Sequence, residues 1–359
     1  GVSCHWPRRT MWYPTAMWQW QLLGFVFLSV LSRVAESKAA MRGCKREPIP
    51  SWLDRLLRVA FLGVLAGPTC VSIDQSIGLP LCTVALVGYM VPYTDLCEQR
   101  GGWTNLYARR VGLIKWVRTY LNVKLVKTVD LDPKNTYVFG VHPHGILPIG
   151  AVSGLNYEND LDEDSFGRLF PGVTFRTLAA TFCFYIPGYR EILLSGGVVD
   201  AARYSAQRVL EMGYSLALVP GGATEALHNH PDRDVVYIKK RYGFVKLALE
   251  AGASLVPCFS FNECNTYGVL GVTNPTVNAA RKKFQAIFGI SLPLVTNILP
   301  MKTAIRIVVG KPIPCPKIED PSREVVQEHL DRYIDALVEL YNENKEEYNT
   351  VEKPDLTVL

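Results

Sequence analysis

The 359-residue chain lacks the short motifs that mark several large enzyme classes. It has no Gly-x-Ser-x-Gly nucleophile elbow, no Walker A phosphate loop and no Gly-x-Gly-x-x-Gly dinucleotide fingerprint. The sequence therefore gives no support to serine-hydrolase chemistry, nucleotide hydrolysis or hydride transfer.

Cysteine pairs and glycosylation sequons are also missing. The nine cysteines are scattered without a Cys-x-x-Cys pair, and the sequence holds no Asn-x-Ser/Thr acceptor site. This usage argues against a disulfide scaffold and against a structural zinc site. It favours a catalytic body in a reducing compartment that faces the cytosol.

Basic residues do not form a dense tract. The 38 Lys and Arg residues exceed the 33 acidic residues by five. Nucleic-acid binding usually needs denser clustering, so we expect no nucleic-acid partner. The modest excess fits an anionic membrane surface or an anionic co-substrate better. The choice between a monomer and a homo-oligomer stays open.

Apolar residues make up 48% of the chain and concentrate near its start. Residues 10–32 carry no charge, which is typical of either a membrane anchor or a cleaved signal peptide. Residues 59–94 contain Asp74 as their only charge. At about 20 residues per crossing, this zone predicts two short helices or a re-entrant hairpin that turns near Gly67-Pro68. A buried helix pair is the alternative.

Charge around these zones predicts their orientation. Residues 33–58 carry seven Lys and Arg against three acidic residues, which places this linker in the cytosol by the positive-inside rule. We expect an N-terminal region over residues 1–50, with an extra membrane anchor as one option, and a membrane hairpin over residues 51–95. Residues 96–359 are then a cytosol-facing catalytic domain.

The remainder alternates strand-like and helical patterns, which predicts an α/β sandwich. Strand-like apolar runs lie at 136–141, 173–179, 214–219, 254–259 and 304–309. Helical patterns lie at 108–121, 198–212, 242–252 and 321–346. The last helix is predicted to begin with Asp320 as N-cap and Pro321 in its first position. The chain after Lys345 is predicted to fray.

Two histidines follow the first apolar run, in YVFGVHPHGILPIG. The residue before a proline favours extended geometry, so His142 should continue the strand, and His144 should then face the same side. Gly145 permits a tight turn, and Ile146 is predicted to begin a helix whose free N–H groups face the same pocket. The pattern favours an acyl-transfer site over a pair of structural core histidines.

A second motif, PGGATEAL, follows the apolar run at 214–219. Gly221 and Gly222 bring bare backbone N–H groups near a ligand, where they can hold a phosphate or a developing oxyanion. Glycines also simply make turns, and Glu225 taken alone is typical of an exposed loop acid.

A basic cluster lies around the start of the helix predicted for 242–252. It consists of Lys239, Lys240, Arg241 and Lys246. Such a cluster is usually a solvated face. Beside a glycine-rich loop it is also a candidate for binding the phosphates of a large co-substrate.

The chain resembles the type 2 diacylglycerol acyltransferase family, which also contains monoacylglycerol and wax-alcohol acyltransferases. The resemblance rests on four ordered motifs, YVFGVHPHGILPIG, PGGATEAL, RYGFVKLALEAGASLVPCFSF and IVVGKPIP. Glu263 also matches the glutamate of the family's Phe-Gly-Glu-Asn element. The resemblance implies a glycerolipid-acyltransferase-like α/β core with an N-terminal membrane hairpin. It further implies the endoplasmic reticulum membrane, a catalytic domain in the cytosol and an association with lipid droplets.

The resemblance also implies transfer of a fatty acyl group from acyl-CoA, as co-substrate, to diacylglycerol. A lipid hydroxyl is a poor nucleophile, so a general base must take its proton. We expect His144, which lies deepest in the turn beside Gly145, to be that base, with His142 in support. Glu225 is expected to orient the imidazole, or alternatively to hold the glycerol backbone of the acceptor. Backbone amides after Gly145, or in the PGGATEAL loop, are expected to stabilise the oxyanion.

Several alternatives stay open from the sequence. Monoacylglycerol or a fatty alcohol is the alternative acceptor, and an inactive lipid-droplet coat protein is the alternative function. A zinc hydrolase needs a third ligand beside the two motif histidines, for which His228 and His230 are candidates. A covalent route through Cys183 or Cys258 is a further alternative, although buried cysteines are usually inert. Direct transfer requires no metal and no redox cofactor.

Overall fold

The structure, a computed structural model, describes residues 52–56, 58–59, 62, 78–103, 107–110, 112–270, 275–288, 290–291 and 294–359. The chain divides into two compact units, Gly1–Leu96 and Cys97–Leu359.

The first unit contains helix α1, Gly78–Tyr93, which carries no charged residue. This helix covers the second half of the zone predicted to form a membrane hairpin. The turn expected near Gly67-Pro68 and the anchor considered at 10–32 lie outside the described residues, so the hairpin stays a prediction. Among the described residues, no helix is both long enough and apolar enough to cross a membrane.

Strands form the centre of the second unit. They are β1 (Lys124–Lys127), β2 (Tyr137–His142), β3 (Phe175–Ala179), β4 (Val198–Asp200), β5 (Ser215–Leu218), β6 (Val235–Val236), β7 (Ser254–Phe261), β8 (Arg306–Val309) and β9 (Thr357–Val358). One sheet has the strand order β1-β8-β7-β2-β5-β3-β4, and β6 pairs with β9 in a second sheet. Neighbours in the larger sheet are parallel, except that β7 and β8 are antiparallel.

Helices connect these strands. They are α2 (Gly112–Tyr120), α3 (Phe166–Leu169), α4 (Tyr189–Ser195), α5 (Arg203–Glu211), α6 (Gly222–Leu227), α7 (Gly243–Ala251), α8 (Pro275–Phe288) and α9 (Arg323–Tyr348). A π-helix spans Gly150–Leu155, and 3-10 helices span Cys97–Gln99, Tyr107–Arg110, Thr181–Tyr185 and Glu263–Asn265.

Both faces of the larger sheet are covered by apolar side chains. Val138 of β2 packs in a cluster with residues of α5, α7 and α9. Phe139 and Val141 of the same strand pack in the opposite cluster, with residues of the π-helix and α3. A strand that is buried on both faces has a continuous apolar run rather than an alternating one, which explains the sequence of β2. The predicted α/β class is confirmed.

Two predicted helix starts are wrong. A strand pairing takes the residues of the first, and the Glu263 carboxylate binds the first amides of the second at Ile149 and Gly150. Val198–Asp200, predicted as helix, forms β4 and pairs with Thr177–Ala179 of β3. The helix predicted at Ile146 begins instead with the π-helix, whose N-cap is Ile149.

The last long helix also differs from the prediction at both ends. Its N-cap is Ser322, whose side chain accepts a hydrogen bond from the Val325 amide at 3.4 Å, whereas Asp320 pairs with Lys246. At the other end, the chain beyond Lys345 does not fray. It stays helical to Tyr348 and later forms β9 beside β6.

Candidate active site

Three neighbouring parallel strands deliver the candidate site. β2 lies between β7 and β5, with His142 opposite Phe259 and Gly140 opposite Leu218. Because the carboxyl ends of parallel strands lie at the same edge of a sheet, the segments that follow these strands meet there. They are the histidine motif after β2, the PGGATEAL loop after β5, and Asn262-Glu263 after β7.

His142 is the last residue of β2 and is fully buried. Its ring centroid lies 6.1 Å from that of Tyr333 in α9. Its Nδ1 lies 3.4 Å from Oε1 of Glu225. A carboxylate oxygen accepts hydrogen bonds, so Nδ1 of His142 is the donor. The peptide bond between His142 and Pro143 is cis. The burial of this imidazole and its carboxylate partner suit a supporting role.

His144 follows the strand and is half-buried. The expectation that it lies deepest in the turn is wrong, because His142 is the fully buried member. Nδ1 of His144 lies 3.1 Å from the carbonyl oxygen of Gly145. A carbonyl only accepts, so Nδ1 carries the proton and Nε2 of the neutral ring holds a lone pair. Burial lowers the pKa of His144 below 6.5, against the opposing effects of the Gly145 hydrogen bond and the Glu225 charge. The ring is therefore neutral at pH 7.

Glu225 is a buried acid rather than an exposed loop residue, with 1% of its surface accessible. Its Oε2 accepts a hydrogen bond from the main-chain amide of His144 at 2.8 Å. Its Oε1 accepts from the Tyr237 amide at 2.9 Å and faces the His142 ring. The carboxylate thus contacts the imidazole of His142 and the backbone of His144, whereas the sequence suggested a contact with the base itself.

Glycine is required at Gly145 and at Gly221 for different structural reasons. A Cβ added at Gly221 would overlap the carboxyl carbon of Glu225, so glycine is needed for this close approach. Gly145 has φ of +61°, and a Cβ there would lie 2.9 Å from Cγ of Glu263. The amide of Gly222 donates to the Val219 carbonyl at 3.1 Å and is therefore not free for an oxyanion. Gly145 and Gly221 stay candidates for that role.

Glu263 lies on the other side of the histidine motif and is fully buried. Its carboxylate accepts hydrogen bonds from the amides of Ile149 at 2.7 Å and Gly150 at 2.9 Å, and from the Ser260 hydroxyl at 2.6 Å. These contacts cap the start of the π-helix. Burial raises the pKa of Glu263 to about 7, although the three hydrogen bonds lower it in part.

The sequence identifies Glu263 only as a match to a family element, without a role in the site. The available signal was its position, since a glutamate two residues after an apolar strand such as β7 lies at the same sheet edge as His142. Tyr237, whose amide holds Glu225, had no signal because its contribution comes from the backbone.

The predicted basic cluster does not act as one unit. Lys246 pairs with Asp320, in the segment before α9, at 2.9 Å. Arg241 donates to the Gly221 carbonyl at 3.0 Å and to the Thr224 hydroxyl at 2.9 Å, so it braces the PGGATEAL loop. The remaining members, Lys239 and Lys240, are exposed.

The side chains needed for the alternative chemistries are placed unfavourably. Burial raises the pKa of Cys183 to about 11 and raises that of Cys258 further, which keeps both thiols protonated and weakly nucleophilic. His230 accepts a hydrogen bond from the Asp232 amide at 3.2 Å, and the His228 ring stacks on Tyr237. Within the described part of the chain, neither motif histidine belongs to a group of three converging His, Cys or acidic ligands.

Comparisons with known proteins agree with the motifs. Residues 78–359 match the family model described as diacylglycerol acyltransferase. The chain is 34% identical over 334 residues to the mouse (Mus musculus) diacylglycerol O-acyltransferase 2-like protein 6, covering 88% of this chain and 97% of that protein. It is 34% identical over 275 residues to the 2-acylglycerol O-acyltransferase 1 of Bos taurus, covering 72% and 80% of the two chains. It is also 34% identical over 273 residues to the acyl-CoA wax alcohol acyltransferase 1 of Homo sapiens, covering 73% and 82%.

Proposed function

Because this chain belongs to the diacylglycerol acyltransferase family, we propose that it transfers a fatty acyl group from acyl-CoA to diacylglycerol and so forms triacylglycerol. The chain is an acyltransferase. Its relatives are named for diacylglycerol, 2-acylglycerol and wax alcohol, so the acceptor is the part that requires an experiment.

The observation that carries the mechanism is the hydrogen bond between Nδ1 of His144 and the Gly145 carbonyl, at 3.1 Å. It assigns the proton of the neutral ring to Nδ1 and leaves Nε2 as the basic atom. The lowered pKa keeps this atom unprotonated at neutral pH. His144 is also the less buried of the two motif histidines, which favours it as the one that meets the acceptor.

The proposed reaction is a direct transfer without a covalent enzyme intermediate. Nε2 of His144 takes the proton of the acceptor hydroxyl while the oxygen of that hydroxyl forms a bond to the thioester carbonyl carbon. The carbonyl oxygen becomes an oxyanion, for which the amides at Gly145 and Gly221 are candidate donors. Collapse of this intermediate breaks the carbon–sulfur bond, and the departing CoA sulfur takes the proton back from His144. General-base catalysis of this kind typically contributes about 10²–10⁴-fold.

Glu225 supports this step by position and by charge. It holds the His144 backbone and the His142 ring at once, and its negative charge favours the imidazolium that forms during attack. No metal or redox cofactor is needed for the step. Lys239 and Lys240 remain candidates for the phosphates of CoA because they are exposed beside the loop that Arg241 braces.

We further propose that the enzyme lies at the endoplasmic reticulum membrane, with the catalytic unit in the cytosol and access to lipid droplets. The uncharged helix α1 and the apolar zone around it support a membrane location, where the acceptor resides.

An acceptor panel tests the function. The full chain is purified in detergent and supplied with labelled acyl-CoA and either diacylglycerol, monoacylglycerol or a fatty alcohol, with and without EDTA. We expect triacylglycerol as the main product, unchanged by the chelator. A main product from another acceptor would replace diacylglycerol in the proposal. Failure to acylate any acceptor would favour the coat-protein alternative, and loss of activity in EDTA would favour a metal mechanism.

A further inference from the structure

The segment after α9, residues 349–359, is hydrogen-bonded to residues 234–239. Its strand β9 pairs in parallel with β6. The Thr357 amide donates to the Asp234 carbonyl at 3.1 Å, and the Leu359 amide donates to the Val236 carbonyl at 2.9 Å. The amides of Ile238 and Lys239 donate in turn to the Leu359 carbonyl, each at 2.9 Å. The backbone of residues 234–239 is therefore held in place by this segment.

A buried ion pair anchors the same contact. Nζ of Lys353 lies 2.9 Å from Oδ1 of Asp234, and both side chains are at most 1% exposed. The Tyr341 hydroxyl of α9 donates to Oδ2 of Asp234 at 3.3 Å. Because a buried charge is strongly unfavourable without its partner, Lys353 and Asp234 depend on each other for their positions.

The segment also reaches the other side of the site. The amide and hydroxyl of Thr350 both donate to Oδ1 of Asn262, each at 3.0 Å. Asn262 has φ of +66° and directly precedes Glu263. Residues 349–359 thus contact the side chain of Asn262, the neighbour of Glu263, as well as the backbone of residues 234–239.

Tyr237 connects residues 349–359 to the candidate active site. It lies between Val236 and Ile238, which both bond to Leu359, and its amide donates to Oε1 of Glu225 at 2.9 Å. That oxygen is the one that faces the His142 ring. A shift of residues 234–239 would therefore remove a donor from Glu225 and change its contact with His142.

We propose that residues 349–359 are a positioning element of the active site, with Lys353 and Asp234 as its anchor, and that they act by holding the Tyr237 amide against Glu225. This inference rests on the proposed role of Glu225. The distance along the chain, 119 residues between Lys353 and Asp234, gives no hint of the contact in the sequence.

The test is a double-mutant cycle measured on the purified full chain with acyl-CoA and diacylglycerol. Lys353→Met should lower kcat at least about tenfold while changing the KM for acyl-CoA by less than about twofold. In a Glu225→Gln background, Lys353→Met should cost less than about a further twofold, because both changes act through one contact. Lys127→Met, which breaks the exposed pair with Asp130 beside β1, is the matched control and should match wild type.

Two more variants keep the outcome readable if Lys353→Met folds poorly. Adding Asp234→Asn to Lys353→Met removes the uncompensated charge and should restore folding and at least half of the activity. Thr357→Pro removes the amide that bonds to Asp234 without touching a buried charge, and it should show the same non-additivity with Glu225→Gln.

The outcomes separate this inference from the proposed function. Equal turnover of Glu225→Gln and wild type would overturn the role of Glu225 itself. If Glu225→Gln is slow but the Lys353 and Thr357 variants match wild type, the positioning role is wrong and the proposed function stands. The positioning role is also wrong if these variants lose activity by the same factor in both backgrounds, since that is the behaviour of a merely structural segment.

Discussion

Replacing Glu225 by glutamine tests the centre of the site, because it exchanges one carboxylate oxygen for an NH₂ group and leaves the size of the side chain nearly unchanged. The carboxylate serves three donors, the amides of His144 and Tyr237 and the His142 ring, through two oxygens. Glutamine has one oxygen and one NH₂ group, so whichever way it turns, an N–H group faces another N–H group. Glu225→Gln therefore loses at least one buried hydrogen bond to a charged acceptor.

The size of the effect follows from that contact. A hydrogen bond to a charged group contributes about 1.5–3 kcal/mol. If the same amount is lost from the transition state, where imidazolium forms, kcat falls about 10- to 150-fold at 1.36 kcal/mol per factor of ten. A loss of about 2 kcal/mol in folding stability lowers Tm by roughly 4–8 °C for a unit of this size.

The assay compares steady-state kinetics and thermal unfolding of Glu225→Gln with those of Glu328→Gln, an exposed glutamate on α9. We expect a loss in kcat with little change in the KM for acyl-CoA, and no effect in the control. A Glu225→Gln enzyme with wild-type kcat and Tm would refute the reasoning, because the buried donors would then not need the second oxygen.

Three further predictions concern the glutamate and glycine contacts and the pH profile. The raised pKa of Glu263, about 7 against 4.5, means that the folded state keeps a proton that the unfolded state has lost, so stability falls as pH rises through this window. Between pH 4.5 and 7, the free energy of unfolding of wild type should fall by about 3 kcal/mol more than that of Glu263→Gln, measured by Tm or denaturant midpoints. Parallel curves of stability against pH for the two proteins would contradict this. Gly221→Ala forces Glu225 aside and should lower kcat at least about tenfold, whereas Gly243→Ala, whose added Cβ meets nothing within 4 Å, should not; equal activities would contradict the steric argument. Because His144 must be neutral and its pKa is lowered, kcat/KM should fall with decreasing pH only through a midpoint below 6.5, and a midpoint above 6.5 would contradict the assignment.

Local features of the fold were predictable from the sequence. The apolar runs of β2, β5 and β7 appear as strands at the predicted places, and α7 ends at Gly252 in a left-handed conformation, as a glycine C-cap allows. The histidine motif was recognisable because its proline, glycine and two imidazoles are adjacent in the chain. Periodicity and local turn chemistry carry this kind of information.

The remaining features depend on contacts between distant residues. Glu263 bonds to Ile149 across 114 positions, and no local pattern indicates which strand lies beside β2. Val198–Asp200 forms a strand because β3 offers a partner, although the sequence there continues a helical pattern. The position of residues 349–359 likewise depends on a distant residue, Asp234, which pairs with Lys353. The motifs could thus be recognised from the sequence, whereas the contacts between them depend on the order of the strands in the sheet.

The most direct test of the account is the turnover of His144→Ala, measured with acyl-CoA and diacylglycerol beside His230→Ala, a histidine with a half-exposed side chain outside the site. If Nε2 of His144 takes the acceptor's proton, His144→Ala should lose about 10²–10⁴-fold in kcat while keeping its Tm and its KM for acyl-CoA, and the control should be unaffected. A His144→Ala enzyme that keeps near-normal kcat would contradict the central claim.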